Sequence, residues 1–391
     1  MPRSKISRCR SGFVALVAAG GLVLAACGGS PTATNTNKDG GSSASSAAQE
    51  LQAVYDKVGN DTDLQSRRTA LIKLAKEEGG ALTWYTAANE DDVNAIKSAF
   101  EKATGIKINL YRAGSSTVRQ RVEQEAAGGG IRADVINSTG SDPGILAKEG
   151  HFAELKSPIT DELIPEAVFP TWFGDQVYPF APAWNTKAIP PAKAPKNYND
   201  LLTNFRNGDM VIEQTDADWL FGMVELLTEN EGMAEDAALK LVGDAVRAST
   251  PFDGHTAMTE LLAAGQFKIS PDNYHYRVLS TEAKSNGKIA WSSTIGPIIS
   301  EFGGTGIANG TAHPAAALLF AEYNMVDVQQ TQWVKSARTP TLKNTKIGLF
   351  ADPNAKAFFI DYKKLISNIT RYQKLFADML AATGKKVQTG D

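Results

Sequence analysis

The chain has 391 residues, 42% hydrophobic and 21% charged, with a formal net charge of -3 and two cysteines. A chain of this size makes one large or two medium globular domains, and the cysteine count excludes a disulfide scaffold. An acidic balance with no clustered Lys and Arg also gives nucleic acid nothing to bind, so none is expected as a partner.

Arg3, Lys5, Arg8 and Arg10 are the only charged side chains among residues 1–26, and an uncharged run from Gly12 to Ala26 follows them. The run falls short of the ~20 apolar residues that span a bilayer and has the form of a secretory leader. It closes on Leu24-Ala25-Ala26-Cys27, which resembles a bacterial lipobox. That resemblance implies removal of residues 1–26, acylation of Cys27, and anchoring by lipid alone to the outer face of the cytoplasmic membrane. Cys9 goes with the leader and Cys27 takes the lipid, so no thiol is left for catalysis or metal binding.

Residues 27–48 are the acylated Cys27 and a run, 28–48, that is small and polar, with no apolar side chain larger than Ala apart from one Pro. They are expected to be a disordered tether with a reach of roughly 25 Å. Leu51, Val54, Tyr55 and Val58 then fall on one helical face, and Leu71, Leu74 and Ala75 begin a second, so residues 49–80 are expected to pack as helices on the domain that follows.

From residue 81 strand and helix alternate. Ala81–Thr86, Ile106–Leu110 and Ala133–Asn137 read as strands, with helices from Asp91, from Ser116 and from an Asp142-Pro143 start. This spacing argues a parallel, doubly wound sheet, in which ligands lie beyond the carboxyl ends of the strands. Tyr178–Asn185 is punctuated by Pro and suits an interdomain crossing. Beyond it, helices at Asp218–Leu227 and Glu235–Ala248 mix with strands at Met210–Ile212 and Lys288–Trp291, and helices at Ala315–Tyr323 and Lys356–Leu380 close the chain.

Several segments occur in a telling order: Leu82-Thr83-Trp84-Tyr85-Thr86 with Asn89-Glu90, Phe100–Ile108, Gly114-Ser115-Ser116, Ala133-Asp134-Val135 and Ala147–Gly150. Trp184–Lys187, Ala263–Gln266, Tyr274–Arg277 and Gly303–Ala308 before His313-Pro314 continue the series. Over residues 81–345 the chain resembles the substrate-binding proteins of ABC importers, in the group with ferric-ion-binding, phosphonate-binding and sugar-phosphate-binding members. The resemblance implies an α/β, two-lobed type II periplasmic-binding-protein (Venus-flytrap) fold, each lobe a mostly parallel sheet flanked by helices. Lobe one is placed at 81–177 with a return at 293–345, and lobe two at 178–292 with the C-terminal helices of 346–391. It further implies a monomer that is not an enzyme, needs no cofactor, and hands a small-molecule solute to an ABC permease.

In ferric-binding members a His, a carboxylate and an adjacent Tyr pair hold the ion. Those positions fall here on Asn89, Thr139 and His275-Tyr276, so iron could keep only Tyr274 and Tyr276. The strand ends carry neutral donors instead: Thr86, Asn89, Ser115, Ser116, Ser138 and Thr139, with Trp219, His275 and Tyr276 added from lobe two. Hydroxyls and helix N-termini suit an anionic or polar organic solute of the phosphonate, sugar-phosphate or carboxylate type. Each has a plainer role as well. Ser115, Ser116 and Asp142 can cap helices, Trp219 can be core, and His275 can make a structural hydrogen bond. Asp218 would meet an amine if the ligand were zwitterionic. Arg119 and Arg277 are expected to be solvated or salt-bridged, and His151, His255 and His313 are given no role. Fe³⁺ stands as the alternative ligand and an exported hydrolase as the alternative function, although no nucleophile elbow, zinc-protease or phosphate-loop motif is present.

Overall fold

In the computed structural model, which describes residues 41–206 and 208–390, the apolar periodicities become helices packed on a curled mixed sheet. The leader, Cys27 and the first part of the tether lie outside the described residues. Helix α1 spans Gly41–Val58, so residues 41–48, expected in the tether, are helical; their Ser and Ala run continues unbroken into the amphipathic stretch, and Ala is the best helix former. Helix α2 (Leu64–Glu77) starts where Asp63 accepts a hydrogen bond from the Ser66 amide, at 2.7 Å.

Strand β1 (Ala81–Thr86), α3 (Glu90–Thr104), β2 (Lys107–Arg112), α4 (Ser115–Ala127), β3 (Val135–Thr139) and α5 (Asp142–Lys148) follow in the expected alternation. The pairs β1–β2 and β1–β3 are parallel. Asp142, read as the cap of α5, is instead its first residue: Ser141 precedes it and its carboxylate is drawn to Arg119.

Strand β4 runs from Trp172 to Asn185, every residue buried. The strand therefore begins well before Tyr178. It pairs antiparallel with the equally buried β9 described below, which itself pairs antiparallel with β3. Between them come α6 (Tyr198–Asn204), β5 (Val211–Glu213), α7 (Ala217–Glu229), α8 (Glu235–Ala248), β6 (Thr250–Phe252), α9 (His255–Ala264), β7 (Ile269–Tyr274), α10 (His275–Ser285), β8 (Ile289–Trp291) and β9 (Ile298–Ile307). The chain closes with α11 (Pro314–Tyr323), α12 (Gln329–Lys335), β10 (Ala357–Phe359) and α13 (Tyr362–Ala381). Residues 357–359, expected to be helical, pair parallel with β9, because the Ala-Phe-Phe run meets Ile298–Ser300, where β3 leaves one edge of that strand free. The main sheet has the order β2-β1-β3-β9-β4-β7, and β5–β6 stand apart as a parallel pair.

The described residues form three apolar clusters, of which two are large. In the first of these, near β1, the Phe320 ring meets Trp84 and Phe100 edge-on at 5.0 and 4.9 Å. In the second Trp219 and Phe221 of α7 are buried, and Phe221 meets Tyr372 of α13 at 5.0 Å. Full burial of each such ring contributes about 1.5–3 kcal/mol. Helices α1 and α2 belong to the first cluster, held by a buried Arg67–Glu322 pair at 2.7 Å. The Gly-rich part of β9 is explained by close approach: a Cβ on Gly304 would lie 2.6 Å from both the Trp172 ring and Pro143.

Candidate functional site

The carboxyl end of β3 turns through Gly140, whose φ of 65° is left-handed, and delivers Ser141 and Asp142 to the start of α5. Beside it Ser115 and Ser116 open α4. Opposite, the β5–α7 connection brings Asp216 and Asp218, β7 ends on Tyr274, and β9 contributes Glu301. These segments enclose a cavity of about 130 Å³ lined by Ser115, Ser116, Arg119, residues 139–142, Thr215, Asp216, Asp218, Tyr274, Glu301 and Gln373.

Four of these linings are carboxylates, and the only basic one is Arg119, already bound to Asp142 at 2.7 Å and to Glu123. Asp218 accepts a hydrogen bond from the Ser141 amide at 2.7 Å, so a side chain of α7 closes on the turn after β3. Tyr274 donates to Glu301 at 3.3 Å, and Ser115 and Thr139 share a hydrogen bond of 2.6 Å. Burial, then repulsion from Asp218 and Asp216, raises the Glu301 carboxyl well above its usual range. Burial, then Glu213, does the same to Asp216. Asp218 is pushed by burial to about 6, against the stabilising Ser141 amide. Such a site holds negative charge only at a cost, which a cation would offset.

A second, larger cavity of about 550 Å³ includes Asn89, Asp92, Tyr276, Arg277 and Arg338 in its lining. Arg277 donates to Asn89 at 3.1 Å. Buried Arg338 binds Asp92 at 2.6 Å and lies over the Tyr276 ring at 4.2 Å. Tyr178 stands between the two cavities, its ring 4.9 Å from Tyr274 and 6.1 Å from Tyr276.

The residues singled out from sequence thus part into three groups. Ser115, Ser116 and Thr139 line the small cavity, with Tyr274. Asn89 and Tyr276 line the larger one. Thr86, Ser138, Trp219 and His275 line neither. Thr86 is buried and donates to Asn137, which in turn donates to Asp175; Ser138 is buried with no partner for its hydroxyl. Trp219 is core. His275 turns its ring onto Trp291 at 4.2 Å with both nitrogens unpartnered, and burial pulls its pKa down to about 4. The reason lies in the backbone: β7 ends at Tyr274 and α10 begins at His275, so His275 points away from both tyrosines. Tyr274 and Tyr276 do align, rings 16° from parallel and 6.2 Å apart, yet their surroundings differ.

Sequence reasoning passed over Glu301 and Asp216. Glu301 is the sole Asp, Glu, Lys or Arg between Lys288 and Glu322, an isolated charge in a strand otherwise built for burial. That isolation was the available signal.

The model of the bacterial extracellular solute-binding protein family matches residues 95–356. Iron-bound HitA from Pseudomonas aeruginosa is similar with a TM-score of 0.65 and 17% identity, over 76% of this chain and 99% of its own. The ferric binding protein from Campylobacter jejuni gives 0.64 and 19%, over 76% and 99%. A GABA receptor gives 0.63 and 17%, over 79% and 99%. These likenesses establish the type II periplasmic-binding-protein fold. No curated protein matches the sequence. Among the described residues no helix is long and apolar enough to cross a membrane.

Proposed function

We propose, from the premise that this chain belongs to the bacterial extracellular solute-binding proteins, that its small cavity receives the ammonium group of an amine or amino-acid-like zwitterion. The family consists of binding and transport proteins, so its members are exported, bind a small molecule and work with an ABC permease. The solute class is our reading. The observation that carries it is the gathering of Asp218 and Glu301 in the lining of one small cavity, with Asp142 and Asp216 beside them and Arg119 as the single basic lining residue. A phosphonate or sugar phosphate placed there would bring a dianion into a ring of carboxylates. Of the anionic and the polar organic solutes expected from the hydroxyl donors, the site favours the second, with Ser115, Ser116 and Thr139 as its neutral hydrogen-bonding wall.

In this reading lobe one comprises residues 81–177 and the return, lobe two residues 178–292 and the C-terminal helices, and β4 and β9 join them. The protein acts as a monomer held to the membrane through Cys27. The Asp218–Ser141 and Arg277–Asn89 contacts close the lobes at the two ends of the cleft.

Fe³⁺ is the second reading. It is supported by the Tyr274 phenol beside Glu301, which are hard oxygen donors, and by ferric-binding proteins among those of like fold.

Thermal-shift measurements on the purified protein separate these readings, because a ligand at 100 times its dissociation constant adds ~2.7 kcal/mol. Diamines and γ-amino acids are expected to raise Tm while methylphosphonate and glucose 6-phosphate leave it unchanged. A shift with the phosphonate and none with any amine overturns the reading, and a visible tyrosinate-to-iron band replaces it with the ferric one.

A further inference from the structure

Behind the small cavity, Glu213 ends β5, Asp216 leads into α7 and His255 opens α9. One ligand atom from each lies within 4.8 Å of the other two. Asp216 Oδ1 and His255 Nε2 are 3.2 Å apart. That is the spacing of neighbouring ligands on one tetrahedral ion, since bonds of about 2.0–2.2 Å put donor atoms roughly 3.3 Å from each other.

Three further observations point to an ion and not to a closed hydrogen-bond network. Asp216 is only 5% exposed, and its Oδ2 has no hydrogen-bond partner. His255 Nδ1 has none either. The surroundings add negative charge: Asp272 is fully buried and accepts from the Glu213 amide at 2.8 Å, while the salt bridge these carboxylates make among the described residues is to His255 alone. Glu213 is positioned as an acceptor by Thr215, through both its amide and hydroxyl, and by the Gly254 amide. Thr215 occupies both lone pairs of Glu213 Oε2, but Glu213 Oε1 accepts only from the Gly254 amide and keeps a lone pair free for a metal, as do the Asp216 oxygens. The Tyr274 ring lies 3.9 Å from the imidazole and fixes its plane.

We propose that Glu213, Asp216 and His255 hold a resident divalent first-row transition ion behind the solute cavity. Two carboxylates and an imidazole balance its charge and leave positions for water, a set that suits zinc or manganese. The ion ties the β5–α7 connection to the start of α9 and fixes Asp216 in the cavity wall. The proposal is independent of the solute reading, which keeps Asp218, Glu301 and Asp142 against Arg119 when Asp216 is committed to the metal.

The test uses the purified protein stripped with EDTA, equilibrated with Zn²⁺ or separately with Mn²⁺, desalted and assayed for bound metal by mass spectrometry. One equivalent per chain is expected. His255→Ala and Glu213→Gln should each lose more affinity than the roughly 10–100-fold that an outer-shell change costs, whereas Glu301→Gln should retain the ion. X-ray absorption of the zinc-loaded wild-type protein, which needs no variant to fold, should show a nitrogen and oxygen shell with an imidazole contribution. Absence of stoichiometric metal overturns the proposal, as does a shell without imidazole. Metal retained by His255→Ala but lost by Glu301→Gln places the ion in the solute cavity and overturns it equally.

Discussion

Asp175 on β4 offers a measurement in which the structure sets both sign and size. Its carboxyl is 2% exposed, its Oδ2 accepts from Asn137 and Thr305 at 2.6 Å each, and its Oδ1 has no partner. Burial pushes its pKa from 3.8 to about 6, with Thr305, Arg338 and Asn137 pulling the other way. The folded protein therefore holds this proton more tightly than the unfolded chain. Stability from this group is complete below pH ~4 and is lost as pH rises through about 6. The gap between 3.8 and about 6 converts to about 3 kcal/mol. Asp175→Asn removes the titration while keeping an acceptor for both donors. Urea unfolding of wild type and variant at pH 4, 5, 6 and 7.5 should show the variant gaining on the wild type by about 2.4 kcal/mol across that range, the remainder lying below pH 4. Any fixed packing cost of the amide cancels, because only the change with pH is read. Profiles that run parallel would refute the reasoning, for they would mean that Asp175 carries the same charge in both states throughout.

Three other outcomes follow from the described contacts. Glu301→Gln should weaken binding of an amine solute by about 10–100-fold in calorimetry, the equivalent of one hydrogen bond to a charged group, and leave Tm unchanged or raised because a strained buried carboxyl is removed. Arg67→Met strands Glu322 beneath α1 and α2 and should cost about 3–5 kcal/mol in chemical denaturation, while adding Glu322→Leu restores most of it; a single variant as stable as wild type sinks this account. Gly304→Ala forces a methyl against Trp172 and Pro143 and should lower stability by about 1–3 kcal/mol, read as a fall in Tm that an Ala at exposed Gly130, with open space around its Cβ, does not produce.

The alternation of Ala81 to Gly150 was legible because its helices each have one apolar face, while β1 and β3 are short apolar runs bounded by turn residues and differ enough in period to be told apart. The crossing strands were harder. β4 and β9 are buried on both sides, so Trp172–Val177 and Ile298–Phe302 carry no alternation, and only the prolines around Tyr178 marked a transition. Ser115, Ser116 and Thr139 were found because strand ends and helix starts are adjacent in sequence. Glu301 and Asp216 lie far apart along the chain and meet only when β9 and the β5–α7 connection fold together. The junction at Tyr274-His275 shows the same limit on a small scale: one residue's change from strand to helix sends His275 to Trp291 and keeps Tyr274 at the cavity, and local composition contains no sign of it.

The two long strands β4 and β9 lie side by side and share hydrogen bonds over much of their length, interrupted by an irregularity between Gly174 and Gln176. Two separate linkers would act as a swivel, free to turn at each strand. A bonded ribbon has torsional stiffness, and its compliance is concentrated where the ladder is broken. The break lies at Gly174, whose Cβ position is already taken by the Phe302 ring. A ribbon so built would yield first at that break if the parts it joins were turned against each other.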